Sequence, residues 1–529
     1  MFDVIISGGL VVDGSVGAVP AYLDLGVKGE RIEVLAGDLR DKPARTRINA
    51  GGCVVTPGFI DAHNHCDLML LAEPEHRAKL LQGVTTEIVG QDGISYAPLS
   101  PDNLTMYRRY MAGLNGNPQS VEPSWSTMAE YRAMFDRSVV VNTAHLVGHG
   151  PIRLEAAGML DVPLRGETLT KAVNLLDSSL SEGAIGLSTG LSYFPQSWAD
   201  TQELVDLCKV VQRYDGVFVI HLRTIFRGDR FDPVEEAIEI ARRSGVKLHF
   251  SHFRTGPHNA GRVDERLKPL DDARASGVDV SLDIYPYPQG ASCLVMLLPP
   301  WANEGNVDRI LDRLCTPGVS QRICDELDAG TVGSTWDSLT ISHVASEKNR
   351  SIIGRTIADV AAEEGCSPEM LVCRLLAEED LEVGFWINPP NQEITDILSR
   401  DQMQILSRPY AMVGSDSVHV GERPHPRLYG TFPRFLGRYR RAQVTVSLEE
   451  LLPHLTSIPA SRFGLRDRGV IRVGNYADIL VFNPEVFIDK ATYSNPRAYA
   501  EGMCSVIVNG KVVYKDGDMT GAMPGRPIP

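Results

Sequence analysis

The sequence predicts an α/β fold: a (β/α)8 TIM-like barrel, a small β domain built from both chain ends, and a lid insertion before the last barrel strand. Three observations predict it. Eight apolar, strand-like runs alternate with helical patterns. Short β segments separated by turns occupy both ends of the chain. About 125 residues separate the seventh and eighth apolar runs, which is far more than a loop requires. The predicted bounds are 1–53 and 465–529 for the small β domain, 54–430 for the barrel and about 288–400 for the insertion.

The two chain ends share a pattern of short β segments. The first segments are Asp3–Ile6, Leu10–Val12 and Leu23–Val27, with Ser7-Gly8-Gly9 as a turn. Near the other end the pattern returns over 477–482, 505–509 and 511–514, where Asn509-Gly510 is a hairpin signal. We therefore expect the two ends to meet in one small β domain.

The barrel strands are predicted from continuous apolar runs, which are typical of parallel strands buried on both faces. The runs are Val54–His63, Thr85–Gly90, Val139–Leu146, Ile185–Ser188, Val217–His221, Val246–His252, Val278–Tyr285 and Ala411–Asp416. Apolar residues with a 3.6-residue period predict helices between several of them, as in Gln202–Gln212, Glu235–Arg243 and Pro269–Ala275. In the insertion, Pro299-Pro300-Trp301 and a helical Val307–Leu314 are expected to form part of the lid.

Composition excludes several classes of partner. The net charge of −15 argues against nucleic acid and anionic membranes. The start, Met1-Phe2-Asp3-Val4, does not read as a secretory signal, and no stretch of about 18 apolar residues predicts a membrane span. Nine scattered cysteines without a CxxC pair favour a reducing compartment, so a cytoplasmic protein is expected. The sequence gives no indication of the oligomeric state.

Polar residues follow the predicted strands at their carboxyl ends, where barrel enzymes carry their chemistry. His63 and His65 are two residues apart, so on a strand both imidazoles point to one face. Alone, such a pair could be surface histidines near a turn. The whole set favours a metal that prefers nitrogen ligands, such as zinc. Its members are His63, His65, Asp92, His221, His252 and Asp416. Three further histidines are assigned other roles: His145 and His149 as structural, and His249 as out of phase with His252.

The string Pro57-Gly58-Phe59-Ile60-Asp61-Ala62-His63-Asn64-His65, together with His221, His252 and Asp416, resembles the amidohydrolase superfamily. Longer strings resemble its D-aminoacylase branch, the N-acyl-D-amino-acid deacylases. These strings are 182–191 (Glu-Gly-Ala-Ile-Gly-Leu-Ser-Thr-Gly-Leu), Tyr285-Pro286-Tyr287, Pro424-His425-Pro426-Arg427 and Gly430-Thr431-Phe432-Pro433-Arg434. The resemblance covers essentially the whole chain. The combined strings are specific, whereas the His-x-His pair alone is not.

The resemblance implies a metal centre with one or two zinc ions, or another divalent metal. His221 and His252 match the ligands of a tightly held zinc, and His63 and His65 match a weaker second side. Where the family has a metal-bridging cysteine, this chain has Asp92, an oxygen ligand that leaves metal count and identity open. Glu87 on the same strand is a second possible carboxylate.

The resemblance also implies a small substrate bearing a carboxylate. Asp416 matches the catalytic aspartate, Arg427 the arginine that grips the substrate carboxylate, and Tyr285 a tyrosine near the scissile carbonyl. Arg254 stands where the family has lysine and Ala291 where it often has serine, so both touch substrate recognition. Alternative interpretations stay open: Tyr285 could be a packed turn residue, and Arg427 a surface residue that pairs with Glu422.

The expected activity is hydrolysis of the amide bond of N-acyl-D-amino acids to a D-amino acid and a carboxylate. One alternative is another linear or cyclic amide, as in the hydantoinase and dihydropyrimidinase enzymes. These usually bridge two metals with a carboxylated lysine, and the third and fourth strand runs contain no lysine. A second alternative is a non-catalytic scaffold with a retained barrel, which we would expect to have lost metal ligands.

Overall fold

The computed structural model describes residues 1–223, 232–442 and 446–529. Its centre is one parallel sheet of eight strands in chain order, so the predicted barrel is confirmed. The strands are Phe59–Asp61, Val84–Val89, Asn142–Gly148, Gly186–Gly190, Val217–His221, Lys247–Phe250, Val280–Ile284 and Ala411–Val413. The ring closes between the last strand and the first, where the Ala62 amide donates to the Val413 carbonyl at 3.1 Å. Beyond that point Asn64–His65 pairs in parallel with Ser417–Val418.

Helices connect the strands, and local sequence defines their ends. Thr201–Arg213 begins after Asp200, whose side chain accepts from the Glu203 amide at 2.9 Å. Pro233–Ser244 begins after a capping aspartate and ends at Gly245, whose φ of 74° suits a residue without a Cβ. The other helices of the barrel region are Asp67–Ala72, Arg77–Leu80, Pro101–Tyr110, Ala112–Asn115, Met128–Ala133, His149–Ala157, Gly166–Ser181, Val263–Ala275, Gln392–Leu406, Arg427–Pro433, Arg440–Ala442, Leu448–Leu451 and Ser457–Arg462.

The two chain ends do meet in a small β region with its own apolar core. One sheet has the order Arg31–Ala36, Asp24–Lys28, Phe2–Ser7, Ala44–Asn49. The second has the order Asp518–Met519, Lys511–Lys515, Met503–Val508, Ile479–Phe482, Val54–Pro57, Leu10–Val11, Ala21–Tyr22. The shared core joins residues of both ends, among them Ile6, Ile479 and Ile507.

The predicted single strand Val54–His63 was wrong, because the structure divides it. Val54–Pro57 pairs antiparallel with Ile479–Phe482 in the small region, and only Phe59–Asp61 joins the barrel. Gly58 lies at the division, where a Cβ would come within 2.0 Å of the Thr85 hydroxyl oxygen. Both halves are buried, so hydropathy alone showed one continuous run.

The insertion forms a three-stranded antiparallel sheet with helices. The strands are Gly290–Cys293, Val383–Ile387 and Leu339–Val344 in sheet order, and the helices are Val307–Cys315, Pro317–Glu326, Ile357–Glu364 and Pro368–Glu378. Helix Gln392–Leu406, whose first half falls within the predicted insertion, packs on the seventh and eighth barrel strands. Among the described helices, none combines the length and apolar character that crossing a membrane requires.

Candidate metal centre and active site

The strand-end histidines and aspartates predicted from the sequence converge at one end of the barrel. Asp92, His252 and Asp416 each follow a strand with a positive φ, of 53°, 33° and 49°. Such backbone conformations are uncommon outside glycine and cluster at functional sites. Here they turn three side chains out of the strand direction and into a shared centre.

The Asp92 carboxylate lies at the middle of four imidazoles. Its Oδ2 is 3.2 Å from His221 Nδ1, 3.5 Å from His252 Nε2 and 3.6 Å from His65 Nε2. Its Oδ1 is 3.5 Å from His63 Nε2. The donors therefore form two groups that share Asp92: His63 with His65, and His221 with His252.

These spacings fit a metal ion better than a hydrogen-bond network. Two ligand atoms that each lie 2.0–2.1 Å from one zinc ion are about 3.4 Å apart when the angle at the metal is tetrahedral. When that angle is 90°, they are about 2.9 Å apart. His221 Nδ1 and His252 Nε2 are 2.9 Å apart, and the contacts to Asp92 lie between 3.2 and 3.6 Å. His63 Nε2 and Asp92 Oδ1 are buried without a hydrogen-bond partner among the described residues. A cation between them would satisfy both atoms.

The carboxylates and imidazoles of the centre shift each other's pKa values. Burial raises the pKa of Asp92, but the facing imidazoles of His63 and His221 outweigh it and hold that pKa well below its usual range. Burial lowers the pKa of His63, yet Asp283 and Asp92 raise it well above its usual value. For His252, burial prevails and its pKa falls. The centre therefore offers an ionised carboxylate to a metal.

A second carboxylate, Asp283 on the seventh strand, lies behind the centre and was missed from the sequence. Its Oδ2 is 3.2 Å from His63 Nδ1 and 3.0 Å from His249 Nε2, and its Oδ1 accepts from the His252 amide at 3.0 Å. Burial raises the pKa of Asp283, but the charge and hydrogen bonds of His63 and His249 hold it below its usual range. A carboxylate inside the apolar run 278–285 was the sequence signal for it.

Asp416 connects the donors to a buried arginine. Its Oδ1 is 3.4 Å from His65 Nε2 and 3.8 Å from His63 Nε2, and its Oδ2 is 2.8 Å from Arg427 Nη1. Burial raises the pKa of Asp416, but Arg427 and the nearby histidines hold it far below its usual range. Arg427 has no exposed surface, so the surface interpretation is wrong, and Glu422 pairs with Arg350 instead.

Tyr285 lies between two arginines. The Arg254 guanidinium carbon is 4.9 Å from the centre of the Tyr285 ring, and that of Arg427 is 4.8 Å away. Arg254 Nη1 donates to the carbonyls of residues 287, 288 and 289 at 2.8, 3.1 and 3.2 Å. Besides this ring contact, the Arg427 guanidinium forms the ion pair with Asp416. None of its three nitrogens has hydrogen-bond geometry to a described residue.

A cavity of about 140 Å³ opens onto this centre. Five of the predicted metal and catalytic residues line it, together with Arg254 and Tyr285. Arg427 is outside the lining but pairs with Asp416, which belongs to it. Ala291, which the resemblance had assigned to substrate recognition, also lines the cavity. The remaining walls, which the sequence did not reveal, are Leu114, Tyr193, Gly290, Ser292, Met296, Val332 and Ile387. Four larger cavities, of about 580, 990, 450 and 500 Å³, involve none of these residues.

Glu87 belongs to a separate buried cluster. Glu87 Oε1 is 2.9 Å from His76 Nε2, its Oε2 accepts from Cys66 Sγ at 2.7 Å, and Lys79 Nζ lies 3.6 Å away. These are hydrogen-bond and ion-pair distances, and the ammonium, which also pairs with Asp61, occupies the space beside the carboxylate. We therefore assign this cluster no metal.

The three other histidines form hydrogen bonds within the fold. His145 Nε2 is 2.8 Å from the Thr143 hydroxyl, and His149 Nε2 is 2.9 Å from Glu203 Oε1. His249, predicted to face elsewhere, bonds to Ser281 at 2.7 Å as well as to Asp283. It is a neighbour of the same carboxylate as His63 and is absent from both donor groups.

Comparison with known proteins identifies the family. The profile described as "Amidohydrolase family" matches residues 46–196 and 372–514. A D-aminoacylase of Alcaligenes xylosoxydans xylosoxydans is 34% identical over 528 residues, 99% of this chain and 97% of that protein. The chain belongs to the amidohydrolase family. The resemblance seen in the sequence is thereby confirmed.

Two further relatives narrow the comparison within the amidohydrolases. An N-acyl-D-glutamate deacylase of the same Alcaligenes is 34% identical, covering 99% of this chain and 96% of that protein. The crystal structure of an N-acyl-D-glutamate deacylase from Bordetella bronchiseptica matches with a TM-score of 0.82 and 32% identity, over 100% of this chain and 99% of that one. That structure contains zinc and a phosphonate inhibitor that mimics the tetrahedral intermediate of its reaction.

Proposed function

We propose that this amidohydrolase is a metal-dependent deacylase that cleaves N-acyl-D-amino acids to a D-amino acid and a carboxylate. The observation that carries the proposal is the position of Asp416. One oxygen faces the histidine donors at 3.4 and 3.8 Å, and the other faces Arg427 at 2.8 Å. A proton acceptor thus lies between a metal-binding centre and a cation suited to a carboxylate. The activities named for the relatives and the zinc in the Bordetella structure support this proposal.

The metal would be held by His63, His65, Asp92, His221 and His252. When bound, zinc supplies an activated water and an electrophile for the amide carbonyl oxygen. Asp92 serves both donor groups, so it is the residue through which one or two ions would be held. A hydantoinase would carry a carboxylated lysine on a barrel strand, and the third and fourth strands, Asn142–Gly148 and Gly186–Gly190, contain no lysine.

Asp416 would move the proton. Its Oδ1 faces the histidine donors, so that oxygen accepts a proton from the attacking water and returns it to the departing nitrogen. In the free protein Arg427 holds the pKa of Asp416 very low. A substrate carboxylate on Arg427 would offset that cation and raise the pKa of Asp416 towards the range useful for proton transfer.

Arg427 would take the α-carboxylate of the substrate. Its guanidinium is fully buried and carries five N–H donors, and its ion pair joins Nη1 alone to Asp416 Oδ2 at 2.8 Å. A buried cation with unfilled donors favours a second anion, and the planar guanidinium suits a bidentate carboxylate. Burial raises the pKa of Tyr285 despite both nearby arginines, so its phenol stays protonated and can donate to the developing oxyanion.

The cavity walls favour apolar side chains on the substrate. Leu114, Met296, Val332 and Ile387 form an apolar wall, and the lining contains one cation, Arg254. Nη1 of that arginine already serves three backbone carbonyls. An acidic side chain would therefore meet an apolar wall, so N-acyl derivatives of D-leucine or D-methionine are the preferred substrates. The substrate is a small molecule, and cytoplasmic location remains a prediction.

The test is hydrolysis of paired N-acetyl-D- and N-acetyl-L-amino acids by zinc-loaded protein. Turnover of the D forms alone, lost in Asp416→Asn with zinc retained, is the expected result. Asp489→Asn is the matched control, because Asp489 is also a buried aspartate paired with arginines, at 3.0 Å to Arg434 and 2.9 Å to Arg438. A protein that binds zinc but hydrolyses neither the D nor the L enantiomers would contradict the proposal.

A further inference from the structure

Asp283 receives three hydrogen-bond donors on two oxygens, and all of them belong to histidines at the metal centre or beside it. The donors are the His63 ring at 3.2 Å, the His249 ring at 3.0 Å and the His252 backbone amide at 3.0 Å. The Asp283 side chain is completely buried. One carboxylate therefore touches both donor groups, His63 of the first and His252 of the second.

An ionised carboxylate can only accept hydrogen bonds, so a ring nitrogen bonded to it must carry the proton. For His63 this nitrogen is Nδ1. In the neutral imidazole, the form that binds a metal, the lone pair is then on Nε2, which lies 3.5 Å from Asp92 Oδ1. Metal-binding histidines depend on such a partner for the correct tautomer and ring orientation.

We propose that Asp283 is the positioning residue that sets the His63 tautomer for metal binding and, through the His252 amide, aligns the second donor group. The inference rests on the metal centre of the proposed function, but not on the identity of its substrate. His252 has a φ of 33°, and the Asp283 Oδ1 bond holds its backbone in that uncommon conformation.

The substitution Asp283→Asn distinguishes a role in hydrogen bonding from a role in packing alone. Its shape is nearly that of aspartate, but it has one acceptor and one donor group. If its oxygen accepts from the His252 amide, its NH2 faces His63 Nδ1 and requires a lone pair there. The His63 proton then moves to Nε2, the nitrogen that should bind the metal. If the amide is turned round, its NH2 opposes the His252 N–H.

The experiment measures zinc alone, without substrate. Wild type, Asp283→Asn and His249→Gln are equilibrated at a series of buffered free-zinc concentrations, and bound zinc per chain is determined. We expect Asp283→Asn to weaken zinc binding about 10–100-fold, the range found for partners of metal ligands. His249→Gln should bind like wild type, because it removes a neighbour of the same carboxylate but leaves the His63 and His252 bonds. Unchanged binding in Asp283→Asn, or an equal loss in His249→Gln, would overturn the inference.

A second measurement needs no folded variant at position 283. Ring nitrogen spectra of ¹⁵N-histidine-labelled, zinc-loaded wild type are recorded, with His63 assigned by its loss in His63→Gln. We expect the proton on Nδ1 and the metal on Nε2 of His63. Zinc on Nδ1 would refute the assigned role, even if Asp283→Asn does not fold. Because neither readout involves turnover, a failed deacylase assay would leave this result interpretable.

Discussion

Replacing Arg427 by methionine tests the carboxylate clamp most directly. Methionine fills a similar volume in this fully buried position but removes the charge and the five N–H donors. Two effects follow from the structure. The substrate loses its carboxylate partner, and Asp416 loses the cation 2.8 Å from its Oδ2. Both effects depend on whether the substrate carries a carboxylate, because a carboxylate on Arg427 also offsets the cation beside Asp416.

The magnitude follows from the bonds that are removed. A hydrogen bond to a charged group is worth about 1.5–3 kcal/mol, and a guanidinium fork can make two. Every 1.4 kcal/mol is about tenfold, so kcat/KM for a carboxylate substrate should fall by at least about 100-fold more than for a neutral one. The effect through Asp416 shifts the ratio in the same direction, because in wild type only the acid offsets the cation. Loss of Arg427 therefore raises the pKa of Asp416 for the amide and changes it little for the acid.

The assay compares N-acetyl-D-leucine with N-acetyl-D-leucinamide, which lacks the carboxylate. We expect wild type to prefer the acid and Arg427→Met to lose that preference. Arg434→Met is the control, because Arg434 also pairs with an aspartate at 3.0 Å and stacks on a tyrosine, Tyr287. An equal loss for acid and amide in Arg427→Met would mean that Arg427 acts through Asp416 alone and that the clamp lies elsewhere.

Three further changes give separate tests. Asp92→Cys puts a soft thiolate at the shared ligand, so we expect zinc to be retained longer against a chelator, as measured by metal content during dialysis. Ile387→Arg adds a cation to the apolar wall, so kcat/KM for N-acetyl-D-glutamate should rise relative to N-acetyl-D-leucine. Glu203 has its pKa lowered from 4.5 to about 2, because the bonds and charges of His149 and Arg153 outweigh burial. The ionised Glu203 therefore stabilises the fold by about 3 kcal/mol above pH 4.5, and this contribution is lost as the pH falls towards 2. Urea unfolding should show a lower free energy of unfolding for Glu203→Gln than for wild type at pH 7, and the difference between the two proteins should become smaller in acid.

Most residues of the site could be predicted because each one is recognisable from its immediate neighbours in the sequence. A polar residue that ends a buried apolar run, such as His221 after 217–220, lies at the carboxyl end of its strand wherever the barrel closes. The division at Gly58 could not be predicted, since it depends on which sheet accepts Val54–Pro57. Hydropathy reports burial and carries no information on the partner strand.

Asp283 marks the same limit within the site. Its strand was predicted, and a carboxylate in an apolar run indicates a buried partner, but the partners come from the ends of the first and sixth strands. Only their approach in space identifies them. The apolar cavity wall is likewise assembled from Leu114 and from distant parts of the insertion, where side-chain type alone indicates only a core.

The centre contains two carboxylates with different positions. Asp92 is a member of both donor groups, whereas Asp283 contacts the histidines on the side away from the donor atoms. A bridging thiolate would carry the same charge as Asp92 but would bind zinc more selectively, because soft sulfur disfavours harder ions. With imidazoles and carboxylate oxygen alone, selection among zinc, manganese and cobalt depends on geometry and on ligand basicity. In this chain that control belongs to Asp283, because it holds the His63 ring and the His252 backbone together. Because position 92 carries an oxygen ligand in place of sulfur, metal binding in this chain depends more strongly on Asp283.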